Sequence, residues 1–293
     1  MIIVRLCGGL GNQMFQYAAG LALSLRHGVP LRFDLEWFDR VHLHQGLELD
    51  RVFGLDLPRA TPSEMRQVLG GFSHPLARRL VVRKRLRWLL PASYALEPYF
   101  HYWPGFETLG PNAYLDGYWQ SERYFQRHAG SVRAAFRFAV ALDERNRTLM
   151  EEMAMHESVS VHVRRGDFVQ DPVVRRVHGV DLTAYYPQAL AVMMGRLRNP
   201  HFYVFSDDPE WVRGNLRLSA PLTIVEHNRG KNSYRDMQLM SACRHHVLAN
   251  SSFSWWGAWL NQWRDKIVVA PKQWFKVRDF DTRDLYSPGW IVL

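Results

Sequence analysis

The sequence predicts an α/β protein with two domains, each built on a parallel sheet, that face a central cleft. Three observations predict this fold. From Ser158 onward, short apolar runs alternate with stretches of helical period, which is typical of βαβ units. The first half shows a looser alternation of the same kind. A chain of 293 residues with 47% hydrophobic content is long enough to form two buried cores.

The amino-terminal half begins with a strand-like run and a glycine turn. The run "MIIVRL" is followed by a helical pattern from about Gln13 to Arg26, and "PLRFDL" and "NAYLDGYW" are further strand-like runs. We assign residues 1–150 to this domain. The opening run carries no basic leader and no long apolar segment, so we expect a mature cytoplasmic protein.

The carboxyl-terminal half, residues 151–293, shows the clearer alternation and forms the second predicted domain. Helical stretches such as "LTAYYPQALAVMMGRL" separate its strand-like runs, which are "SVSVHVR", "HFYVFS", "LTIVEH", "HHVLAN" and "KIVVAP". Ligands of such folds bind beyond the carboxyl ends of the strands. We therefore expect the active site in the cleft between the two domains.

The net charge of +9 favours a polyanionic partner: a nucleic acid, an anionic lipid or the phosphates of a small substrate. Residues 78–90, "RRLVVRKRLRWLL", place basic side chains among apolar ones. This composition predicts either peripheral contact with a membrane or an amphipathic helix packed on its own domain. Cys7 and Cys243 lack the spacing of a zinc site, so we expect two buried hydrophobic side chains.

The strongest candidate for chemistry is "VSVHVRRGDF", residues 159–168. Side chains alternate along a strand, so His162 and Arg164 share one face and Arg165 points to the other. The planar guanidinium of Arg164 suits a phosphate, whereas Arg165 is expected to pair with Asp167 and brace the turn. The alternative is that both arginines belong to a buried ion-pair network.

A second candidate is "ANSSFSWWGAWL", where a strand ends at Asn250 and a helix opens at Ser251 and Ser252. Free backbone amides and the helix dipole favour a phosphate at this position. Capping of the helix by serine explains the same residues without a ligand. Whichever holds, we expect the tryptophans of this helix to lie in the core.

Two acidic motifs have competing explanations. In "NSYRDMQ", Asp236 could accept the ring N–H and amino donors of a guanine, or it could complete a capping box with Ser233. In "FSDDPEW", Asp208 at the N-cap followed by Pro209 is a complete helix start. That helix start accounts for the paired carboxylates, so we expect no metal there.

The opening turn "CGGLGNQMF" resembles a dinucleotide-binding loop in part. Gly9 and Gly11 follow a strand and Asp34 lies where an acid would bind a ribose, but Met14 stands where the third glycine belongs. The amides of Asn12 and Gln13 suit hydroxyls or a phosphate instead. The turn therefore predicts a ligand that carries a sugar.

Four segments, in this order, resemble the bacterial α-1,2-fucosyltransferases of glycosyltransferase family 11: "GGLGNQMFQYA", "GYWQSERYF", "HVRRGD" and "NSSFSWWGAWL". The resemblance runs from the first strand to the final "PGWIVL". It implies a GT-B-type fold of two Rossmann-like domains. It also implies transfer of L-fucose from GDP-β-L-fucose to the 2-hydroxyl of a galactoside, with inversion and with no metal or other cofactor.

The resemblance also implies roles for individual residues. The diphosphate of GDP-fucose would be held by His162 and Arg164, with Ser251 and Ser252 taking phosphate oxygens. Asp236 would bind the guanine and Asn12 would lie near the fucosyl group. The acceptor would be an oligosaccharide or a lipid-linked glycan. The expected contacts of the galactoside acceptor are Tyr118, Trp119 and Gln120, for which core packing is the alternative.

The sequence offers several candidates for a catalytic base. His178 is the preferred candidate because the family typically shows a His-Gly pair in this loop and the sequence keeps His178-Gly179. Other acidic candidates are Asp34, Asp116, Glu122 and Asp171. Two competing functions stay open: a dinucleotide-dependent oxidoreductase that uses Asp34, and a basic nucleic-acid-binding protein, for which no motif of the known modules is present.

Overall fold

The computed structural model describes residues 1–41, 43–78 and 86–293, without the side chains of Arg87, Asp167 and Gln170. Most of the segment 78–90 therefore lies outside the described residues. The chain divides into two compact units, Met1–Ala139 with Arg283–Leu285 and Val140–Thr282 with Tyr286–Leu293. Within the described ranges, no helix has both the length and the hydropathy needed to cross a bilayer.

The first unit has a four-stranded sheet in the order β2-β1-β4-β3, and every pairing described in it is parallel. Its strands are β1 Ile2–Arg5, β2 Leu31–Asp34, β3 Tyr94–Leu96 and β4 Ala113–Asp116. The α-helices whose bounds the structure describes in full are α1 Leu10–His27, α2 Glu36–Arg40, α3 Leu49–Phe53, α4 Pro62–Leu69 and α5 Ala129–Ala135. Short 3₁₀ turns lie at Gly70–Ser73, Arg87–Leu89, Pro104–Thr108, Glu122–Tyr124 and Gln126–His128.

Helix α1 is the central helix of the first unit. It follows the N-cap Gly9 and ends at Gly28, whose φ of 62° gives the left-handed conformation that glycine adopts at low cost. Most of its side chains are buried. At Gly20 the helix lies so close to β1 that an added Cβ would be 2.2 Å from Cγ2 of Val4.

The second unit has a six-stranded sheet in the order β10-β9-β8-β5-β6-β7, again with parallel pairings. Its strands are β5 Glu157–Val163, β6 Pro200–Ser206, β7 Leu222–Val225, β8 His245–Val247, β9 Val268–Ala270 and β10 Ile291–Val292. Its α-helices are α6 Glu144–Met155, α7 Gly166–Gln170, α8 Pro172–His178, α9 Tyr185–Arg196, α10 Pro209–Asn215, α11 Tyr234–Ala242 and α12 Ser252–Leu260. A 3₁₀ turn, Gly230–Asn232, precedes α11.

Both sheets are parallel with helices between their strands, so the predicted α/β class with two Rossmann-like domains is confirmed. The division between the units falls at Ala139 rather than at residue 150. The reason is helix α6, which packs on β5 and α11. Its Met153 is fully buried in a cluster with Tyr203 and Phe205 of β6.

The close approach at Gly20 gives a test of the packing of α1. Gly20→Ala is expected to lower the free energy of unfolding by about 1–3 kcal/mol, because the new methyl group meets Val4 in a packed core. Gly195→Ala in α9 is the matched control, since a Cβ there meets nothing within 4 Å. Urea denaturation followed by circular dichroism measures both. Equal stability of the two variants would contradict the packing described.

Candidate active site

The carboxyl edge of the second sheet brings most of the predicted site residues together. His162 lies at the end of β5 and Arg164 just beyond it, while Asp207 follows β6 and Ser251 follows β8. Strands β8, β5 and β6 are neighbours in the sheet. Because parallel strands end at the same edge, these residues lie on the side where ligands of such sheets bind.

Arg164 is held in place but remains accessible. Its Nη1 lies 2.8 Å from Oδ2 of Asp207, and its guanidinium lies 5.5 Å from the ring centroid of Phe168. The side chain keeps 29% of its surface exposed. Asp207 also accepts the backbone N–H of Arg165 at 2.8 Å. The carboxylate therefore fixes both the turn and the orientation of the guanidinium.

Arg165 has different partners from Arg164. Its Nε lies 3.0 Å from Oδ2 of Asp208, and its guanidinium stacks 4.5 Å over the ring of Trp211. Asp208 also caps α10, since its Oδ1 accepts the N–H of Trp211 at 3.1 Å. The predicted helix start is confirmed. The expected pair with Asp167 lies outside the described residues, because the side chain of Asp167 is not described.

His162 is a neutral residue at this edge. Its pKa is lowered to about 4: burial is the largest cause, Asp207 opposes the shift, and the charge of Arg164 adds to it. Only 6% of the residue is exposed, and within the described part of the chain its buried Nδ1 has no hydrogen-bond partner. His162 can therefore hydrogen-bond a ligand near neutral pH, but it cannot add a positive charge.

Helix α12 points its N-terminus at the same edge. The Oγ of Ser251 caps the helix by accepting the N–H of Phe253 at 3.3 Å, and the first turn contains no acidic residue. The positive end of the helix dipole is therefore not neutralised by a carboxylate of its own first turn. Capping and phosphate binding are compatible here. The tryptophans of the helix lie in the core, as expected: Trp255, Trp256 and Trp259.

Asn250 was not singled out by the sequence analysis, although it positions this region. Its Nδ2 donates to the carbonyl oxygens of His178 and Trp274, both at 3.0 Å, and the residue is only 2% exposed. The ring of His178 stacks on Phe168 with centroids 5.2 Å apart. In the sequence, Asn250 is a single amide residue between an apolar run and two serines, and this position was the signal that could have identified it.

Asp171 is a capping residue of α8. Its Oδ1 accepts the N–H groups of Val173 at 2.8 Å and Val174 at 3.3 Å. Capping of the helix therefore explains why a carboxylate stands at this position. His178, at the other end of the same short helix, remains the better candidate for a base.

Asp236 lies in the first turn of α11, beyond the carboxyl end of β7. Its Oδ1 accepts from Nδ2 of Asn228 at 2.9 Å, and burial raises the pKa of its carboxyl to about 7. Ser233 makes no side-chain capping hydrogen bond. The capping-box interpretation of Ser233 and Asp236 is therefore wrong, and Asp236 keeps capacity for a ligand.

In the first unit, the glycine turn brings Asn12 to Gln120. Nε2 of Gln120 donates to Oδ1 of Asn12 at 2.8 Å. Gln120 is 7% exposed, and its buried Oε1 has no hydrogen-bond partner among the described residues. Such an acceptor matches a ligand hydroxyl. Gln13, by contrast, holds the turn itself, since its Nε2 donates to the carbonyl oxygens of Gly8 and Gly46 at 2.9 Å.

The prediction that Trp119 contacts an acceptor is wrong. The residue is fully buried, and its ring packs against Phe106 at 5.6 Å and Tyr124 at 5.2 Å between centroids. Core packing was the alternative, and the burial of the ring shows that it holds. Tyr118 remains exposed, with 46% of its surface accessible.

The dinucleotide interpretation of the glycine turn fails at Asp34. This residue is 8% exposed, and its Oδ2 accepts from Tyr114 at 2.7 Å and pairs with Arg78 at 3.2 Å. Its Oδ1 accepts the backbone N–H of Glu36 at 3.0 Å. The carboxylate is thus enclosed by partners from its own unit and cannot bind a ribose. Asp116 is likewise paired, with Arg5 at 2.8 Å.

Glu48 places a carboxylate at the N-terminus of α1, which sequence reasoning missed. The residue is 4% exposed and pairs with Arg51 at 2.8 Å. Burial raises its pKa to about 7, while Arg51 and a hydrogen bond from the backbone of Leu10 oppose the shift. The start of α1 thus carries an acidic group of the protein itself.

Comparisons with known proteins show the family of the chain. The family model described as "Glycosyl transferase family 11" matches residues 100–293. The chain belongs to glycosyltransferase family 11. This family 11 member is 33% identical to an "Alpha-1,2-colitosyltransferase" of Escherichia coli, over 99% of the chain and 98% of that protein.

Two further relatives extend the comparison. The family 11 chain is 31% identical to the "O-antigen biosynthesis glycosyltransferase WbnK" of Escherichia coli, over 98% of the chain and 99% of that protein. It is 27% identical to "Galactoside alpha-(1,2)-fucosyltransferase 1" of Lagothrix lagotricha, over 97% of the chain and 72% of that protein. The family 11 protein is therefore a glycosyltransferase.

The low pKa of His162 can be measured directly. Its folded pKa of about 4 lies below the ordinary 6.5, so the unfolded chain takes up the proton first as the pH falls. The stability that His162 contributes is present above pH 6.5 and is lost towards pH 4, by up to about 3 kcal/mol. An NMR titration of the ring is expected to show a midpoint near 4, and Arg164→Ala is expected to raise it. A midpoint near 6.5 would contradict the buried site.

Proposed function

We propose that the protein transfers L-fucose from GDP-β-L-fucose to the 2-hydroxyl of a terminal galactoside, with inversion and without an essential metal. The observation that carries the proposal is Arg164, fixed by Asp207 at the same edge of the sheet as the acid-free N-terminus of α12. Membership of family 11 gives the reaction class. The fucosyl and galactosyl parts of the proposal are supported by the name of the third relative.

Stabilisation of the leaving diphosphate is the proposed source of most of the rate enhancement. When the bond between the sugar and the phosphate breaks, negative charge develops on the diphosphate and positive charge on the sugar ring. Arg164 would bind the phosphate oxygens with its fork, and the amides at Ser251 and Ser252 would add donors that are already oriented. His162, neutral near pH 7, would contribute a hydrogen bond rather than charge.

Recognition of the base is assigned to Asp236. A guanine presents a ring N–H and an amino group side by side, and an ionised carboxylate accepts from both. Adenine lacks this pair of donors. Asn228 holds one carboxylate oxygen of Asp236 at 2.9 Å and so fixes its orientation. The cost of burying the charge, visible in the raised pKa, would be offset by the two donors of the base.

The remaining predicted residues are assigned to the fucosyl group and to the galactoside acceptor. His178, whose backbone is anchored by Asn250, is the proposed base for the acceptor hydroxyl. In the first unit, Asn12 is the proposed contact of the fucosyl group, and Tyr118 and Gln120 are the proposed contacts of the galactoside. The unpartnered Oε1 of Gln120 supports this assignment because it can accept from a sugar hydroxyl.

A lipid-linked acceptor is part of the proposal, since one relative is named for O-antigen biosynthesis. In that case the protein would work in the cytoplasm, and basic residues 78–90 would contact anionic lipid. Replacing Arg83, Lys84 and Arg85 with Ala is expected to reduce co-sedimentation with anionic vesicles. Unchanged co-sedimentation would remove membrane contact from the proposal.

The role of Arg164 is tested by turnover. GDP release from GDP-fucose, with lactose as acceptor and EDTA present, is expected to fall by about 10²- to 10³-fold in Arg164→Ala, because the leaving diphosphate loses its charged partner. Arg164→Lys is expected to recover little, since lysine lacks the planar fork. Arg213→Ala, which breaks an exposed ion pair with Glu226, is the control.

The same assay separates the donors. Turnover of GDP-fucose in EDTA supports the proposed reaction, whereas turnover of GDP-colitose alone would replace fucose by colitose as the sugar. Equal rates for Arg164→Ala and Arg213→Ala would contradict the diphosphate role. Loss of turnover in EDTA, restored by a divalent ion, would contradict metal independence.

The role of Asp236 predicts a pH dependence of GDP binding. Below its pKa of about 7 the carboxyl is protonated and must lose a proton to accept both guanine donors. Affinity for GDP is therefore expected to rise as the pH increases from 6 to 8, by up to about tenfold per pH unit below the pKa. Isothermal titration calorimetry with GDP between pH 6 and 8 measures this affinity for the protein and for Asp236→Asn. An identical pH profile in the variant would exclude Asp236 as the guanine contact.

A further inference from the structure

Three metal-ligating side chains meet at the amino edge of the second sheet, away from the candidate active site. Glu152 lies in the last turn of α6, and His156 is the C-cap of the same helix. His201 lies near the start of β6. One potential ligand atom from each lies within 4.8 Å of the other two. The imidazole rings of His156 and His201 have centroids 4.9 Å apart.

The fold explains why these three side chains lie close together. Residues four apart on a helix share one face, so Glu152 and His156 project together. Helix α6 leads directly into β5, and β5 pairs with β6 in a register that sets Ser158 opposite His201. The end of α6 is thereby held next to the first residues of β6. Glu152 and His156 are exposed, so an ion can reach them from solvent.

Neighbouring residues orient two of these ligands. Nε2 of His201 lies 2.9 Å from Oγ1 of Thr223, which leaves Nδ1 as the ring nitrogen for a metal. The hydroxyl of Tyr203 donates to Oε1 of Glu152 at 2.9 Å. The rings of His201 and Tyr203 also stack, with centroids 4.4 Å apart. Hydrogen bonds of this kind to ligating histidines and carboxylates are characteristic of protein metal sites.

We propose that Glu152, His156 and His201 bind a zinc ion or a similar divalent transition-metal ion. Two imidazoles and one carboxylate are a ligand set that zinc accepts, with water completing a tetrahedron. Ligand atoms that bind one zinc ion are closer together than 4.8 Å, since each is about 2 Å from the metal. The exposed side chains of Glu152 and His156 can make up this difference by small rotations.

The proposed ion is structural. His201 and Ser206 are five residues apart along β6, which separates the two edges of the sheet by about 16 Å. The ion therefore lies far from Arg164 and takes no part in sugar transfer. It would join the end of α6 to β6 and stabilise the second unit by binding only the folded chain. This inference does not depend on the identity of the sugar donor.

Zinc titration tests the proposal. We would titrate metal-free protein, without a histidine tag, with Zn²⁺ by calorimetry and compare His156→Ala with Glu151→Ala. Glu151 is an exposed neighbour on the same helix that is not part of the cluster. One ion per chain with at least micromolar affinity is expected, weakened about 100-fold in His156→Ala and unchanged in Glu151→Ala. Tyr203→Phe is expected to weaken binding by about 10- to 100-fold.

A second measurement tests whether the ion binds the folded chain in preference to the unfolded chain. Zinc is expected to raise the thermal unfolding temperature of the protein and of Glu151→Ala, but not that of His156→Ala. The proposal is overturned if zinc does not bind, or if His156→Ala binds it as tightly as Glu151→Ala does. It is also overturned if binding leaves the unfolding temperature unchanged, which would identify an adventitious ion only.

Discussion

The ion pair between Arg164 and Asp207 is the interaction on which the candidate donor site depends. Strands β5 and β6 pair with Val163 opposite Ser206, so the next residue of each strand extends the same register. The sheet thereby sets a guanidinium beside a carboxylate at its edge. A partly exposed pair of this kind contributes at most about 1 kcal/mol to stability. Its importance is positional, because a fixed guanidinium can bind developing charge without reorganising.

The distribution of acidic groups distinguishes the two helix N-termini. Helix α12 begins with serines and has no acid in its first turn, whereas α1 carries the buried carboxylate of Glu48 at its start. The first favours an anionic diphosphate, whereas at the second Glu48 already accepts a hydrogen bond from the backbone of Leu10. The glycine turn before α1 is therefore better suited to a neutral sugar. Its amides and the Asn12–Gln120 hydrogen bond fit that chemistry.

Local features were predictable from the sequence, and features that depend on distant partners were not. The alternation of apolar runs predicted the sheets, and the Asp208-Pro209 pair predicted the start of α10. Asp34 could not be judged, because its partners Arg78 and Tyr114 lie 44 and 80 residues away along the chain. Trp119 was misassigned because an aromatic ring suits both a sugar face and a core, and the sequence does not show that this ring packs against Phe106 and Tyr124.

A crystal structure of the protein with GDP tests the central claim most directly. The account predicts that the diphosphate lies at the carboxyl edge of the second sheet, with Arg164 and the N-terminus of α12 within hydrogen-bond distance of its oxygens. It also predicts that the guanine donates to Asp236. A diphosphate bound at the glycine turn before α1, with Arg164 still paired only to the protein, would contradict it.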